Sequence, residues 1–130
     1  MIVDTSALIA ILKRESEQAA FSALLETEQD LKISVATYFE AWIVVDGLKQ
    51  PPISRALEDL IERARIEVVP LTVEQARIAR QAYRDYGRGS GHPANLNFGD
   101  CFSYALAREK REPILFKGDD FGHTDLRSAV

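Results

Sequence analysis

Four short apolar runs, "MIVD", "LKISV", "IEVVPL" and "EPILFKG", are separated by longer stretches in which apolar residues recur at helical spacing. Runs this short and rich in β-branched residues read as strands. When strands alternate with helices, each helix carries the chain back to the starting edge of the sheet, so successive strands run parallel. The pattern therefore predicts an α/β fold: a three-layer α/β/α arrangement around a short, mostly parallel central sheet. At 130 residues the chain suits one domain spanning 1–130, long enough to bury a core without staples.

The helices can be placed from their faces and caps. "TSALIAILKR" turns Ala7, Leu8, Ile11 and Leu12 to one side, with Thr5 or Ser6 as its cap. "SEQAAFSALLETE" reads as a second amphipathic helix opened by Ser16. "ATYFEAWIVVDGLK" reads as a helix buried on most sides, loosened by Gly47 and broken off at Pro51 and Pro52. "SRALEDLIERA" is a fourth, and "TVEQARIARQAYRDYG" runs from a Thr72 cap to a terminal glycine. In "NLNFGDCFSYALA" the positions Phe98, Cys101, Phe102, Ala105 and Leu106 mark the buried face of a last helix. "RGSGHPAN" is the loop rich in Gly, Ser and Pro.

Composition removes several function classes. The single cysteine, Cys101, lies within an apolar series, so it reads as a core thiol, with neither a disulfide framework nor a Cys/His zinc pattern. No apolar run approaches the roughly 18 residues needed to cross a membrane. Met1 leads straight into the first strand without a basic leader, so a cytoplasmic protein is expected. A net charge of −4 opposes coating of nucleic acid by bulk electrostatics. It leaves open a site where carboxylates hold divalent cations and so attract phosphate.

In a parallel sheet the functional crevice lies beyond the carboxyl ends of the strands. Asp4 ends the first strand, Asp119 and Asp120 follow the last, Asp100 opens the helix before it, and Glu40 lies in the helix after "LKISV". Each has an ordinary structural reading: helix-start acid, turn, cap or surface glutamate. Glu40 fits its ordinary reading least, because Tyr38, Phe39, Ala41, Trp42, Ile43, Val44 and Val45 surround it and a buried carboxylate is costly without a cation or donors. Convergence of these acids on one sheet edge implies a shared site for a hard cation, Mg²⁺ or Mn²⁺. Such a site, without a histidine or cysteine nucleophile, suits phosphodiester hydrolysis by water activated at the metal. Arg77, Arg80, Arg84 and Arg88 form one arc opposite Ala76, Ala79, Tyr83 and Tyr86, so Arg84 and Arg88 are candidate RNA phosphate contacts on an otherwise solvated face.

Together, "MIVDTSALIAIL", "TYFEAWIV", "NLNFGDCFSYALA" and "LFKGDDFGHTD" resemble, in order and over essentially the whole chain, the PIN-domain ribonucleases. The similarity is to the VapC toxins of bacterial toxin–antitoxin pairs. The resemblance implies Mg²⁺-dependent RNA cleavage in which Mn²⁺ substitutes, a homodimer, and a VapB-like antitoxin that blocks the site. It matches Asp4, Glu40 and Asp100 to catalytic acids, and Ser6 to a small polar residue that supports them. The fourth acid falls on the Asp119–Asp120 pair. Asp120 is expected there, because Phe121 would anchor in the core and fix the residue before it, with Asp4, Asp100 and Asp120 as metal ligands. Two other functions also use acids at strand ends: a phosphoacceptor domain, which wants an acid pair after the first strand, and a non-catalytic module whose acids receive a partner's arginines.

Overall fold

The computed structural model describes residues 1–130. Its sheet is built from β1 (Ile2–Val3), β2 (Lys32–Ser34), β3 (Glu67–Val69) and β4 (Ile114–Leu115). Helices α1 (Thr5–Leu12) and α2 (Gln18–Thr27) link β1 to β2; α3 (Val35–Gly47) and α4 (Pro51–Arg63) link β2 to β3. Helices α5 (Val73–Tyr86) and α6 (Asp100–Lys110) precede β4, and a 3₁₀ turn at Phe121–His123 follows it. All pairings are parallel, in the order β3-β2-β1-β4. The chain thus winds outward from β1 to β3 and then returns to the other side of β1. Order reverses between β1 and β4, so the crevice of such a sheet opens beyond Val3 and Leu115.

Strand alternation sorts the core into two halves. Val3, Ile33 and Leu115 face α1–α4, packing with Leu8, Phe21, Val45 and Leu57. Ile2, Ile114 and Phe116 face the other way, against Ala79, Tyr104, Ala105 and Leu106 of α5 and α6. Register keeps these sets together, since Ile2 lies beside Ile114 and Val3 beside Leu115. The amino group of Met1 pins the start of β1 through Asp30 O at 2.8 Å and Glu112 Oε1 at 2.7 Å. No helix is long and apolar enough to cross a membrane.

Several local expectations are corrected. The cap of α1 is Asp4, whose carboxylate accepts from Ser6 N, while Thr5 and Ser6 lie inside the helix. Helix α2 has no side-chain cap, and the preceding Glu17 is drawn to Lys117 instead. Pro51 and Pro52 begin α4 rather than only ending α3, as suits residues without a needed N–H. Helix α3 is not buried on most sides: Phe39 is 64% and Ile43 57% exposed. On α5 the buried line is Gln75, Ala79 and Ala82, whereas Ala76 and Tyr83 are exposed. Phe98 lies before α6 and is 77% exposed, so it is no part of that helix's core face. Cys101 is buried there as expected.

Candidate active site

Asp4 leaves β1 at the point of order reversal and is only 4% exposed. Its Oδ2 accepts from Ser6 N at 3.1 Å and Ser6 Oγ at 2.7 Å, and its Oδ1 accepts from Ser103 Oγ at 2.6 Å. Ser103 in turn meets the hydroxyl of Thr37 at 3.1 Å. Ser6 Oγ also accepts from Lys117 N at 3.0 Å, tying the start of α1 to the end of the last strand. The expected supporting role of Ser6 is therefore visible as two bonds. With two acceptor positions per carboxylate oxygen, Oδ2 is saturated and Oδ1 keeps one for a further ligand.

Glu40 approaches from α3. Its Oε1 accepts from Thr5 Oγ1 at 2.6 Å, a hydroxyl that also lies 3.3 Å from Thr37 O. Its Oε2 lies against Gly99, where an added Cβ would come within 2.0 Å. Asp100 opens α6 in a reciprocal pair with Asn97: Asn97 N donates to Asp100 Oδ2 and Asp100 N donates to Asn97 Oδ1, both at 2.9 Å. That is the double satisfaction of a capping box, with the short polar chain of Asn97 reaching forward. Burial pushes the Asp100 carboxyl up to about 6 against the opposing Asn97 N–H, and the charges of Asp4, Asp120 and Glu40 push it further the same way.

Asp120 is exposed at the start of the 3₁₀ turn, and its influence on Asp100 puts it within electrostatic reach of the cluster. Phe121 is 3% exposed and packs edge-on to Phe116 at 5.3 Å, so it anchors the turn. Asp119 is also exposed; its carbonyl accepts from Gly122 N.

None of these acids is ion-paired; the cations that do pair, the Met1 amino group, Lys32, Arg77, Arg108 and Lys117, meet other carboxylates. Four carboxylates with no counter-cation are the donor set a hard divalent ion takes. No three His, Cys, Asp or Glu side chains are drawn together closely enough in this structure to hold a metal ion between them. An open set suits Mg²⁺, which keeps several waters and uses one or two carboxylates. Neither the thiol nor the first imidazole is poised as a nucleophile: burial pushes Cys101 up to about 11, and His92 Nδ1 accepts from Ala94 N.

Sequence reasoning missed the groups that hold the acids. Thr5, Thr37 and Ser103 bond or support Asp4 and Glu40, Asn97 brackets Asp100, and Gly99 makes room for Glu40. Ser103 left one signal, a hydroxyl three positions after Asp100 on an apolar face; Asn97 left another, its capping-box spacing. Arg84 is exposed on the side of α5 away from α6, and Arg88 lies past the helix end.

The PIN domain family matches residues 1–126. The chain is 57% identical over 130 residues to VapC ribonuclease Mb0625 of Mycobacterium bovis, covering 100% of this chain and 98% of that one. It is a PIN-domain protein of the VapC ribonuclease family. Ribonuclease VapC28 of Mycobacterium tuberculosis matches with the same identity and coverage. At 18% identity the fold alone is shared with VapC20 of Mycobacterium tuberculosis, a sarcin-ricin loop cleaving toxin: TM-score 0.73, covering 96% of this chain and 95% of that one. The fold also matches VapBC-1 from nontypeable Haemophilus influenzae at 22% identity and TM-score 0.71, covering 98% and 94%. Asp4 follows β1 and Asp119 and Asp120 follow β4, the two strands between which the order reverses; α6, which opens with Asp100, packs on both, and α3, which carries Glu40, packs on α6.

Proposed function

We propose that this protein is the toxin of a toxin–antitoxin pair and hydrolyses RNA phosphodiester bonds with Mg²⁺, for which Mn²⁺ substitutes. The observation that carries this reading is the set of four carboxylates without counter-cations at the reversal of strand order. The 57% identity to a VapC ribonuclease supports the choice of RNA. When bound, the cation polarises the phosphodiester and acidifies the attacking water. Asp4, Asp100 and Asp120 are the residues that would hold it. Asp4 is fixed for this by Ser6 and Ser103, and Asp100 by Asn97. Glu40, held by the Thr5 hydroxyl and seated on Gly99, completes the cluster and is placed to accept a proton at Oε2.

The partners follow from surfaces and relatives. Val35, Phe39 and Ile43 form an exposed apolar row along α3, which supports a homodimer. A cleft of about 760 Å³ between α2 and α4, lined by Leu25, Leu60 and Ala64 with Glu26, Arg63 and Arg65, supports docking of an amphipathic antitoxin segment. An inserted antitoxin arginine would pair with the unpaired acids and displace the cation. The setting is cytoplasmic.

The deciding experiment compares Asp4→Asn and Asp100→Asn with the parent protein. Mn²⁺ binding should weaken and RNA cleavage should vanish while circular dichroism stays unchanged. Full cleavage by either variant refutes the site. The phosphoacceptor reading gains nothing, since β2 ends at Ser34 and "VVPL", which closes β3 and leaves it, has no acid to accept a phosphoryl group.

A further inference from the structure

We propose that Lys117 is a positioning residue for the cation site: its ammonium, clamped by Glu15 and Glu17, fixes the loop that carries Asp120 relative to Asp4. The inference rests on the metal-dependent reading above and adds a residue that sets how tightly the cation is held.

Lys117 lies two residues beyond β4 and three before Asp120. Its backbone N–H donates to Ser6 Oγ at 3.0 Å, and that hydroxyl donates to Asp4 Oδ2 at 2.7 Å. A serine hydroxyl has a single proton. With the Lys117 N–H held on its oxygen, Ser6 turns that proton to Asp4. Two residues earlier, Asp4 N donates to Leu115 O at 3.0 Å. The exit of β4 is thus joined to Asp4 twice, once through the main chain and once through Ser6.

The side chain of Lys117 adds a third attachment. Its Nζ donates to Glu15 and lies 3.2 Å from Glu17 Oε2. Both acids stand on the link between α1 and α2, and that link is itself fixed: Glu15 N donates to Ala10 O at 2.9 Å and Gln18 N to Glu15 O at 3.0 Å. Beyond Lys117 the loop has little else to hold it. Gly118, Asp119 and Asp120 are exposed, Gly118 has φ +106, and the next buried side chain is Phe121. Asp120 is therefore suspended between two anchors, Lys117 and Phe121. Ion pairs as exposed as these add little to stability. Groups that orient metal-binding side chains, by contrast, change metal affinity by about tenfold to a hundredfold.

The sign of the effect separates position from charge. An ammonium on this loop repels a bound cation, so by charge alone its removal would tighten metal binding. Loss of the anchor weakens it.

The test titrates the full chain with Mn²⁺ by calorimetry. Lys117→Met keeps the length of the side chain and removes its charge. Mn²⁺ should bind about tenfold more weakly to Lys117→Met and to the double variant Glu15→Gln with Glu17→Gln, while Lys117→Arg stays within about twofold of the parent. In RNA cleavage the KM for Mn²⁺ should rise by more than kcat falls. Without metal, amide exchange at positions 117–120 should quicken about tenfold in the two weakened variants, with the amides of β1 unchanged. Unchanged or tighter Mn²⁺ binding in Lys117→Met overturns the proposal and leaves the metal site standing. Weaker binding with unaltered exchange at 117–120 also overturns it, because the loop was then never held by the clamp. A parent protein that binds no Mn²⁺ overturns the metal reading and, with it, this role of Lys117.

Discussion

The carboxylate of Glu40 occupies the space that a side chain at position 99 would need: a Cβ on Gly99 would lie 2.0 Å from Glu40 Oε2. Gly99 has φ −64, which any residue can adopt, so space and not backbone freedom requires glycine here. The obstacle is the end of a flexible side chain, so Gly99→Ala should fold with a midpoint within about 3 °C of the parent. Glu40 must then leave its seat and strain its bond to Thr5. Cleavage should fall by about tenfold or more, the scale expected when a catalytic group is displaced by an ångström. Parental activity in Gly99→Ala would mean that Glu40 works from another position.

Ser103 donates to Asp4 Oδ1 across 99 positions of sequence and is fully buried. Ser103→Ala leaves the carboxylate with one donor fewer and strands the hydroxyl of Thr37. A destabilisation of about 1–3 kcal/mol should appear in urea unfolding. Mn²⁺ affinity should also drop, because Asp4 is freed to rotate. If stability falls and Mn²⁺ affinity does not, Ser103 is a core bond only.

The difference between these two positions shows what a sequence can disclose. Strand runs, helix periods and acids at strand ends are local or periodic features, and they gave the parallel sheet and placed Asp4 and Asp100 at its carboxyl edge. The supporting groups depend on which helices meet in space. A hydroxyl on the apolar face three positions after Asp100 sets Ser103 apart but does not say that it faces Asp4, and nothing near Gly99 points to Glu40. The reading of α3 as buried failed for a related reason. Apolar residues around a whole helix do not say which of them another molecule covers, and Phe39 and Ile43 face outward in the single chain.

Acid stability should depend on Glu112. Burial alone would raise its carboxyl, but bonds from the Met1 amino group and Lys32 outweigh burial and hold it below its ordinary 4.5. A lowered native value means that this group stabilises the fold above 4.5 and that the contribution is lost as pH falls through the native value. Glu112→Gln should therefore cost about 1–3 kcal/mol at pH 7, with the gap to the parent closing below pH 4.5. The start of β1 loosens with it, and β1 carries Asp4. A gap that stays constant with pH would assign the loss to packing.

The arginines test how RNA is held at longer range. Arg84→Ala with Arg88→Ala should weaken RNA binding and reduce its salt dependence, because each lost phosphate contact releases one fewer counterion. Cleavage at saturating RNA should change little. An unaltered salt slope would leave both residues as a solvated face, in keeping with the position of Arg84 on the side of α5 turned away from α6.

Asp119 and Asp120 remain to be separated. Adjacent side chains in an irregular segment leave the backbone in different directions, so one of them should face the cation. Phe121 is anchored against Phe116, which fixes the residue directly before it, and Asp120 is among the charges that raise Asp100. Asp119 lies one step further from the anchor, after Gly118 at φ +106, where the backbone turns. At limiting Mn²⁺, Asp120→Asn should therefore reduce cleavage by about a hundredfold or more and Asp119→Asn by less than about fivefold, since removing a direct electrostatic contact to the reacting group costs on that scale. A greater loss in Asp119→Asn would move the fourth acid back by one residue, with the turn supplying its ligand before the anchor and not at it.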